Sequence, residues 1–525
     1  MLSALRRSKN EPAFRNSVTV ATAVVLLMNL LSKVLGFVRE MVVARVFGAT
    51  MYTDAYLVAY TLPYSAQQII GWAIVSVTVP LLTKYIVDGK NREANLAANS
   101  FLNSTALLML IVSLLGIVFA PLLVKVTAPS LEQETALLAI QMTRIMFPSV
   151  FFVCVGMVLT GILNAHHHFA VGAFAPAFSS IIIIAAVLFA GSHWGIYGLA
   201  VGTLVSFIGF LLVQLPSALA TGYRYVFQLP HHNPEVKAAL VSLVPIILGM
   251  SVNQIYYILN RVFASGLAEG SISSLNYAAK LAQFPAGVFV LAIAVAVYPS
   301  LTEYALKGDL QRFRDALEKG LGVVLLLAAP AAVGLAVLRV PIVRLLFEGG
   351  AFTATDTLHT ASALLFYTGG IVAYSLILVL LRVFFAFRDV KTPVLAGLFG
   401  IAANVAVSFL TLKTMGHNGL ALATSLGSIV NMLVFFVLLK KHLPSMTFGP
   451  LLLSVLKISA ASLLMGVAVY GVSLFFDGSS DLLCVLSGIA VGLIVYLIFV
   501  FLLRLPEGVW VKELLLKKRG EKHIS

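Results

Sequence analysis

The sequence predicts an all-α polytopic membrane protein, and three observations support this prediction. The 525 residues are 60% hydrophobic and only 11% charged, whereas about 25% of the residues of a soluble protein are charged. Apolar stretches near the ~20 residues that a helix needs to cross a bilayer recur along the whole chain. Short motifs recur in its two halves. Together they predict about 14 transmembrane helices: two six-helix repeats, the N- and C-lobes, around a central cavity, plus two extra C-terminal helices.

The fourteen predicted spans follow one another with short polar connections. They lie at 18–46, 54–83, 96–124, 135–165, 169–191, 195–219, 238–264, 271–303, 317–339, 355–387, 392–413, 418–439, 450–476 and 481–503. The polar segments divide the chain into an N-terminal tail (1–17), an N-lobe with spans 1–6 (18–219), a linker (220–237), a C-lobe with spans 7–12 (238–439), spans 13 and 14 (450–503) and a basic tail (504–525).

The basic residues alternate between the two sides of this arrangement. If the tails and the even-numbered connections share one side, that side carries 24 Lys and Arg and the other side carries 4, with Lys319, Arg339, Arg382 and Lys413 counted with the connections beside them. Because Lys and Arg collect in cytoplasmic loops, both termini are predicted to be cytoplasmic in a multi-pass protein of the bacterial inner membrane. The same rule explains the net charge of +14 without a nucleic-acid partner.

Three motifs of the first half recur in the second half. They are Arg45-Val46-Phe47 at an offset of 216, Pro80-x-Leu82-Thr83-x-Tyr85 at 219, and Gly195-x-x-Gly198-Leu199-Ala200-x-x-Thr203 at 221. Their constant order and nearly constant offset predict two homologous six-span halves. An even number of spans gives both halves the same orientation, and paired bundles around a cavity are typical of alternating-access transporters.

The sequence gives no indication of an enzyme. It contains no HExxH, GxSxG, P-loop or DDxxD-type acidic motif. Cys154 and Cys484 lie in apolar runs and are interpreted as buried small side chains. His166, His167 and His168 fall in a short connection and are interpreted as a solvated loop rather than a metal site. Neither a catalytic residue nor a firm metal site is therefore predicted.

Seven basic residues lie within or at the edges of the spans. Lys457, Arg45 and Arg261 are close to span ends, where a long side chain can reach the interface. Lys33, Arg39 and Lys280 lie deeper, where a charge is costly unless it meets water, a partner or a ligand. Two interpretations stay open: a shared aqueous cavity, or separate structural ion pairs. The full set is Lys33, Arg39, Arg45, Arg144, Arg261, Lys280 and Lys457.

The first span and span 8 provide the deep cations. Lys33 and Arg39 are six residues apart, about 240° around a helix, so they share one face only if the helix bends near Gly36. Lys280 enters from the other half at ~13 Å below the outer surface. Cations facing a cavity should attract an anion, with phosphate or diphosphate the most natural ligand.

Small residues such as Gly36, Gly161, Gly198 and Gly419 are predicted to pack helices. Pro63, Pro148 and Pro285 are predicted to kink spans 2, 4 and 8.

Seven longer motifs follow one another through spans 1–12. They are SKVLGFVRE at 32–40, ARVFGATMYTDAYLVAYTLP at 44–63, TRIMFP at 143–148, GILNAHHHFAVGAFAP at 161–176, NYAAKLAQFPAGVF at 276–289, LFEGGAFTATDT at 346–357 and RDVKTPV at 388–394. In this order they resemble the motifs of the MurJ lipid II flippases, which belong to the MATE-like (MOP) exporter superfamily.

The resemblance implies a function in peptidoglycan biosynthesis and cell wall biogenesis. A lipid II flippase moves the undecaprenyl-diphosphate-linked precursor from the inner to the outer leaflet. The implied partners are lipid II, membrane lipids and the cell-wall synthesis machinery. The resemblance implies a monomer. Spans 13 and 14 would line a groove for the lipid tail. The implied substrate-binding positions are Lys33, Arg39, Glu40, Arg45, Asp54 and Lys280.

The sequence departs from the family at several of these positions. Lys33 and Lys280 stand where many relatives carry Arg, and the stretch 64–72 has no charge where relatives carry an Arg pair and a Glu. No acid occupies the sodium-site positions of spans 7 and 11. A neutral site would use Asn253, Asn404, Ser408 and Thr424, whose simpler role is interhelical hydrogen bonding. Without a bound cofactor, transport would be coupled to a monovalent cation or to the membrane potential.

These departures leave alternative functions open. The nearest alternative is a flippase for another lipid-linked oligosaccharide or a MATE-like antiporter. A cation exporter should carry unpaired intramembrane carboxylates, whereas this chain carries mostly cations. The alternative from another class is a membrane-embedded polyprenyl-phosphate transferase, which would need an acidic metal site at the membrane face.

Overall fold

The computed structural model describes residues 12–228, 233–444, 449–476 and 480–505. Within these ranges the side chains at 12–23, 26, 192, 252, 253 and 450 fall outside the description. The described chain is almost entirely helical. Its one β-type pairing is an isolated bridge between Gly349 and Phe352. The predicted all-α class is therefore confirmed.

The chain packs as two compact units, residues 1–266 and 267–525. The described helices of the first unit are α1 (Pro12–Phe47), α2 (Met51–Ala66), α3 (Trp72–Val87), α4 (Asn91–Val118), α5 (Ala120–Thr127), α6 (Gln133–Met146), α7 (Ser149–Ala165), α8 (Phe169–Phe189), α9 (Gly191–Trp194), α10 (Ile196–Leu212), α11 (Leu215–Ala220) and α12 (Pro234–Ala264). The π-helical segment Gln67–Gly71 joins α2 to α3.

The second unit continues the same pattern. Its described helices are α13 (Ser271–Pro285), α14 (Leu291–Lys307), α15 (Leu310–Val337), α16 (Arg339–Phe347), α17 (Ala354–Ala386), α18 (Lys391–Met415), α19 (His417–Leu439), α20 (Gly449–Phe475) and α21 (Asp481–Leu502). A second π-helical segment, Ala286–Val290, joins α13 to α14.

The described helices account for the predicted spans. Thirteen segments between Met51 and Leu502 are long and apolar enough to cross a membrane. The remaining predicted span corresponds to α1, which has 36 residues. At 1.5 Å per residue, each segment of 18 or more residues covers most of a hydrocarbon core about 30 Å thick.

The breaks within the spans occur at or near the predicted prolines. Pro63 and Pro285 each lie within a few residues of a π-helical segment. Pro148 separates α6 from α7. Proline lacks the amide hydrogen needed for the helical ladder and clashes with the preceding turn, so the backbone has to deviate there. The predicted kinks in spans 2, 4 and 8 are thus present as local breaks in helical geometry.

The two halves repeat one another in backbone geometry as well as in sequence. The π-helical segments at 67–71 and 286–290 are 219 residues apart. Gly195 and Gly416 both begin a helix at a φ of 55°, with ψ of −139° and −131°. Gly89 and Gly308 both adopt a left-handed φ, at 72° and 68°. Residues with a Cβ rarely adopt a positive φ, so the repeated glycines preserve the same turns in both halves.

Close helix packing explains the second glycine of the repeated Gly-x-x-Gly motif. A Cβ at Gly198 would lie 2.7 Å from the Ala190 carbonyl oxygen, and one at Gly419 would lie 2.8 Å from that of Thr411. Gly161 also packs as predicted, since a Cβ there would come within 2.6 Å of Thr78. Gly36 differs, because its nearest such contact is Ser180 Oγ at 4.0 Å. Helix α1 therefore has more room at Gly36.

Each unit has its own buried core. In the first unit the core is centred on α7, which has fourteen buried residues and packs against α3, α4 and α10. In the second unit α17 takes the corresponding place and packs against α13, α15 and α19. Helices α20 and α21 pack on each other, and α20 also packs on α15.

The boundary between the packed units falls after the seventh predicted span. Helix α12 packs against α3 and the Gln67–Gly71 segment, and therefore belongs to the first unit. The sequence division into 18–219 and 238–439 follows the internal repeat instead of the packing. These lobe boundaries stay a prediction, because repeats and contacts measure different properties of the chain.

Candidate functional site

A buried ion pair lies in the second half of α1. The Arg39 guanidinium donates from Nη2 to Glu40 Oε1 over 2.6 Å. The two side chains are only 18% and 11% exposed. Adjacent residues on a helix normally diverge by about 100°. The arginine therefore reaches around the helix to its neighbour, and the pair places two opposite charges in a largely covered position.

The other predicted site residues of the first half have different surroundings. Lys33 and Arg45 lie on the same helix as Arg39, but both are exposed. Asp54 is buried in the first turn of α2, where the partial positive charge of a helix N-terminus favours a carboxylate. Of the three predicted cations on α1, only Arg39 is substantially covered by the protein.

A column of tyrosines lies beside the Arg39–Glu40 pair. Tyr56, Tyr60 and Tyr64 follow at four-residue spacing on α2, with neighbouring ring centroids 5.8 and 5.7 Å apart. Tyr257 of α12 extends the column, 5.8 Å from Tyr64. Arg39 is close enough to the hydroxyls of Tyr56 and Tyr60 to interact electrostatically with both. Residues four apart share one helix face, so this face of α2 is aromatic and hydroxyl-bearing.

Arg261 completes the far end of this column. It is 5% exposed, donates from Nη2 to the Tyr257 hydroxyl over 3.0 Å, and places its guanidinium 5.3 Å from the centre of the same ring. The sequence-based interpretation of Arg261 as a side chain reaching the interface is therefore wrong. A hydroxyl acceptor and an aromatic face from the preceding turn hold the cation inside the unit.

Lys280 lies in the second unit, on α13. Residues 271–278 of this helix are all buried, and Lys280 is the first charged side chain after them. Its own side chain is half-buried. Lys280 is the tenth residue of the 37-residue span Ser271–Lys307, and a half-buried lysine well inside a span has the position expected of a ligand-facing charge.

The predicted neutral cation site is only partly described. Asn404 and Ser408 are buried one turn apart on α18, and Thr424 lies on the neighbouring α19, where its hydroxyl donates to the Leu420 carbonyl over 2.9 Å. The Asn253 side chain falls outside the described residues. Within the described part of the chain, no three His, Cys, Asp or Glu residues form a group that could hold a metal ion. The cation site stays a prediction.

The tyrosine column and the Tyr257–Arg261 contact were not predicted from the sequence. A signal for the first part was present, because Tyr56, Tyr60 and Tyr64 have helical spacing within one span. No sequence signal placed Tyr257 beside Tyr64, because that contact depends on how α12 packs against α2 and the segment after it.

Comparisons with known proteins give a consistent result. The family described as "Lipid II flippase MurJ" matches residues 43–504. A lipid II flippase MurJ of Burkholderia cenocepacia is 32% identical over 431 residues, which cover 79% of this chain and 82% of the relative. A probable lipid II flippase MurJ of Buchnera aphidicola from Acyrthosiphon pisum is 31% identical over 415 residues, covering 78% and 81%.

Solved structures support the same assignment. A lipid II flippase MurJ in an inward closed conformation superposes with a TM-score of 0.79 at 27% identity, over 93% of this chain and 99% of that one. An inward-facing multidrug resistance MATE family transporter of the MOP superfamily has a TM-score of 0.66 at 16% identity, over 81% and 98%, and shows a shared fold. The chain therefore belongs to the MurJ family of lipid II flippases.

Proposed function

We propose that this protein is a lipid II flippase, which moves the undecaprenyl-diphosphate-linked peptidoglycan precursor from the inner to the outer leaflet by alternating access. The observation that supports this most directly is the family match, which extends over nearly all of the membrane-spanning helices. The protein would reside in the bacterial inner membrane, with both termini in the cytoplasm, as the asymmetry of basic residues predicts.

Arg39 is proposed to contact the diphosphate of the substrate. A cation in the middle of a span costs about 2.5–3.5 kcal/mol or more, so its retention indicates a ligand or a structural partner. Glu40 neutralises Arg39 in the described structure. A guanidinium has five donors, so one carboxylate oxygen leaves others for phosphate oxygens. Lys33, Arg45, Asp54 and Lys280 complete the proposed set of substrate-binding positions.

The charge of the substrate offers an energy source without nucleotide hydrolysis. A membrane potential of 100 mV, negative inside, favours outward movement of an anion by about 2.3 kcal/mol per charge that crosses the whole field. A diphosphate would benefit from this field during the loaded step. Coupling to the membrane potential is therefore the proposed driving force, with a monovalent cation as the other proposed source.

Depletion in living cells tests the proposed function. The gene is expressed from a repressible promoter in a strain without other flippases, and lipid-linked precursors in the inner leaflet are measured after repression. Lipid II should accumulate inside, and re-expression should restore its exposure outside. Accumulation of a different lipid-linked precursor, with lipid II unaffected, would contradict the proposal.

A flippase for another lipid-linked oligosaccharide is the second candidate. The observation in its favour is the stretch from Tyr64 to Trp72 in span 2, which carries no charged residue. Fewer charges on span 2 would suit a less charged head group. The same depletion experiment separates the candidates, because it identifies the precursor that accumulates.

A further inference from the structure

The segment that follows α11 is held against α4 by a row of asparagines. Asn95, Asn99 and Asn103 stand four residues apart on α4, and each pairs with the extended backbone of residues 223–228. We call these residues the strap and the three side chains the asparagine ladder. All the contacts lie inside the first unit.

The ladder binds the strap through both the Nδ2 donors and the Oδ1 acceptors of its side-chain amides. Asn95 donates to the Arg224 carbonyl and accepts from the Arg224 amide, both over 2.9 Å. Asn99 donates to the same carbonyl over 2.8 Å and accepts from the Val226 amide over 3.1 Å. Asn103 donates to the carbonyls of Val226 and Gln228 over 3.3 and 3.0 Å.

The spacing of helix and strap explains this register. Four residues of a helix rise about 6.0 Å, whereas two residues of an extended strand rise about 6.6 Å. An asparagine at every fourth helical position therefore meets every second residue of the strap. Because the ladder forms its hydrogen bonds with backbone atoms, binding depends on the extended conformation of the strap more than on its side chains.

Two tyrosines of the strap strengthen the attachment. Tyr223 donates its hydroxyl to Asn99 Oδ1 over 2.7 Å, and Tyr225 donates to Asn103 Oδ1 over 3.0 Å. Burial raises the pKa of Tyr223, so this hydroxyl stays protonated and available as a donor. Asn99 is fully buried and Asn103 is 6% exposed, so the hydrogen bonds of the bound strap are shielded from competing water.

The chain that follows the strap is also tied to the same unit. Lys84 at the end of α3 pairs with Glu235 in the first turn of α12 over 2.6 Å. Asn233 donates to the Tyr85 hydroxyl over 3.3 Å and caps α12. The segment between the predicted halves is thus attached to α4 near its beginning and to α3 near its end.

From these contacts we infer that the strap stays bound to α4 throughout the transport cycle, with Asn95, Asn99 and Asn103 acting as positioning residues that fix where α12 begins. A flexible linker would need no such set of backbone hydrogen bonds. The inference deepens the proposed function, and only its transport measurement depends on that function.

Trypsin cleavage after Arg224 measures the attachment directly. The Arg224 side chain is exposed, but its backbone is engaged on the ladder, and a protease must take an extended backbone into its own site. In purified protein, Asn99→Ala should speed this cleavage by about tenfold and Asn95→Ala by about two- to tenfold. Asn91→Ala, one turn before the ladder on the same helix, is the matched control and should stay within twofold of the unmodified protein.

Asn99→Ala removes a buried side chain, so this variant could fail to fold. Asn95 is half-exposed, and Asn95→Ala keeps Asn99 in place, so the second variant still tests the attachment. Equal cleavage rates after Arg224 in the unmodified, Asn95→Ala and Asn99→Ala proteins would overturn the ladder as the attachment. Mass spectrometry of the cleaved termini distinguishes this site from other cleavages in the chain.

A covalent cross-link tests whether the strap has to move. Cysteines replacing Asn91 and Arg224 leave the ladder intact, and the native Cys154 and Cys484 are buried. Residues 91 and 95 are about 6 Å apart along the helix, so a thiol cross-linker of about 10 Å can join α4 to the strap. The cross-linked protein should retain at least half of the flipping measured before the reaction.

A more than tenfold loss of flipping on cross-linking, absent from the two proteins that carry only one of the two substitutions and are treated with the same reagent, would overturn the inference. If the protein does not flip lipid II before the reaction, the proposed function fails instead. The trypsin measurement would still decide whether the strap is held by the ladder.

Discussion

Arg39 and Glu40 are bonded to each other, with Arg39 Nη2 2.6 Å from Glu40 Oε1 in a position where neither side chain is more than 18% exposed. This relationship changes what a substitution at Arg39 measures. Removing one member of a buried pair leaves the other charge uncompensated, at a cost of about 3–5 kcal/mol. Loss of the protein and loss of transport must therefore be separated.

The first prediction separates them with a double substitution. Arg39→Gln alone should lower both the amount of protein in the membrane and lipid II flipping, because Glu40 is left buried and unbalanced. Arg39→Gln with Glu40→Gln should restore the amount of protein, since both charges are gone, while flipping stays at least tenfold reduced. Membrane levels are measured by immunoblot and flipping by lipid II accessibility in cells that depend on the variant. Full activity of the double variant would show that Arg39 does not bind the substrate.

The second prediction concerns Lys280, which is half-buried on α13. Lys280→Gln should reduce flipping about ten- to a hundredfold, because a hydrogen bond to a charged group contributes roughly 1.5–3 kcal/mol. Lys280→Arg should be tolerated, since it keeps the charge and adds forked contacts. Both variants should reach the membrane in equal amounts. Wild-type flipping by Lys280→Gln would show that the substrate does not need this cation.

The third prediction tests topology with reporter fusions. Fusions after residues 90, 230 and 310 should report the cytoplasm, and fusions near residues 130, 267 and 350 should report the outside. The expectation follows from the 24 to 4 distribution of basic residues. Two reversed results among the six fusions would refute the fourteen-span arrangement.

The fourth prediction concerns the repeated glycines. Gly198→Ala and Gly419→Ala should each lower the free energy of unfolding by about 1–3 kcal/mol, because a Cβ there would overlap a backbone carbonyl of the neighbouring helix. Gly249→Ala is the matched control, since its helix position has open space within 4 Å and alanine favours helices by up to ~1 kcal/mol. Thermal unfolding in detergent measures all three. Equal effects at Gly198 and Gly249 would show that the glycine contact is not tight.

The fifth prediction concerns Asp389, in the turn between α17 and α18. Burial would raise the pKa of this carboxyl, but hydrogen bonds from the Thr392 amide, the His442 ring and the Thr392 hydroxyl lower it well below its usual value. A carboxyl with a lowered pKa contributes stability above its unfolded pKa of about 3.9 and loses it as the pH falls through the folded value. The protein should therefore be more stable than Asp389→Asn at pH 7.

The stability difference between the protein and Asp389→Asn should shrink below about pH 4, as the carboxyl becomes protonated. Thermal unfolding of both proteins across this range measures the difference. A constant difference down to pH 3 would mean that the neutral acid stabilises the turn as well as the carboxylate does. A smaller effect of His442→Gln at pH 7 is expected, because the hydrogen bonds from Thr392 remain.

Much of the fold follows from the sequence alone. The apolar stretches predicted the positions of the helices, because a bilayer allows few alternatives to helices of about 20 residues. The offset of the Gly195 and Gly416 motifs predicted the repeat, and both glycines have the same backbone angles. These properties are local or periodic, so they can be read along the chain.

The sequence predicted Arg39 as a charge within the first span but left its surroundings open. A shared cavity and structural ion pairs both remained open as interpretations, because helical periodicity gives the direction of a side chain and not the identity of its neighbours. In the structure, Arg39 pairs with Glu40 and is near the hydroxyls of Tyr56 and Tyr60. Arg261 was expected to reach the interface because it lies near a span end, but its side chain binds Tyr257 instead. Helical periodicity could not predict this neighbour either.

By itself the sequence determined that the chain crosses the membrane many times and that its halves repeat, and it predicted which few charges lie deep in the spans. Only the tertiary structure decided that α12 packs with the first unit, that Tyr64 meets Tyr257, and that Asn95, Asn99 and Asn103 hold the strap. The physical reason is one of distance. Hydrophobic length and turn geometry act between near neighbours in the chain, whereas these contacts join residues more than a hundred positions apart, and packing alone brings them together.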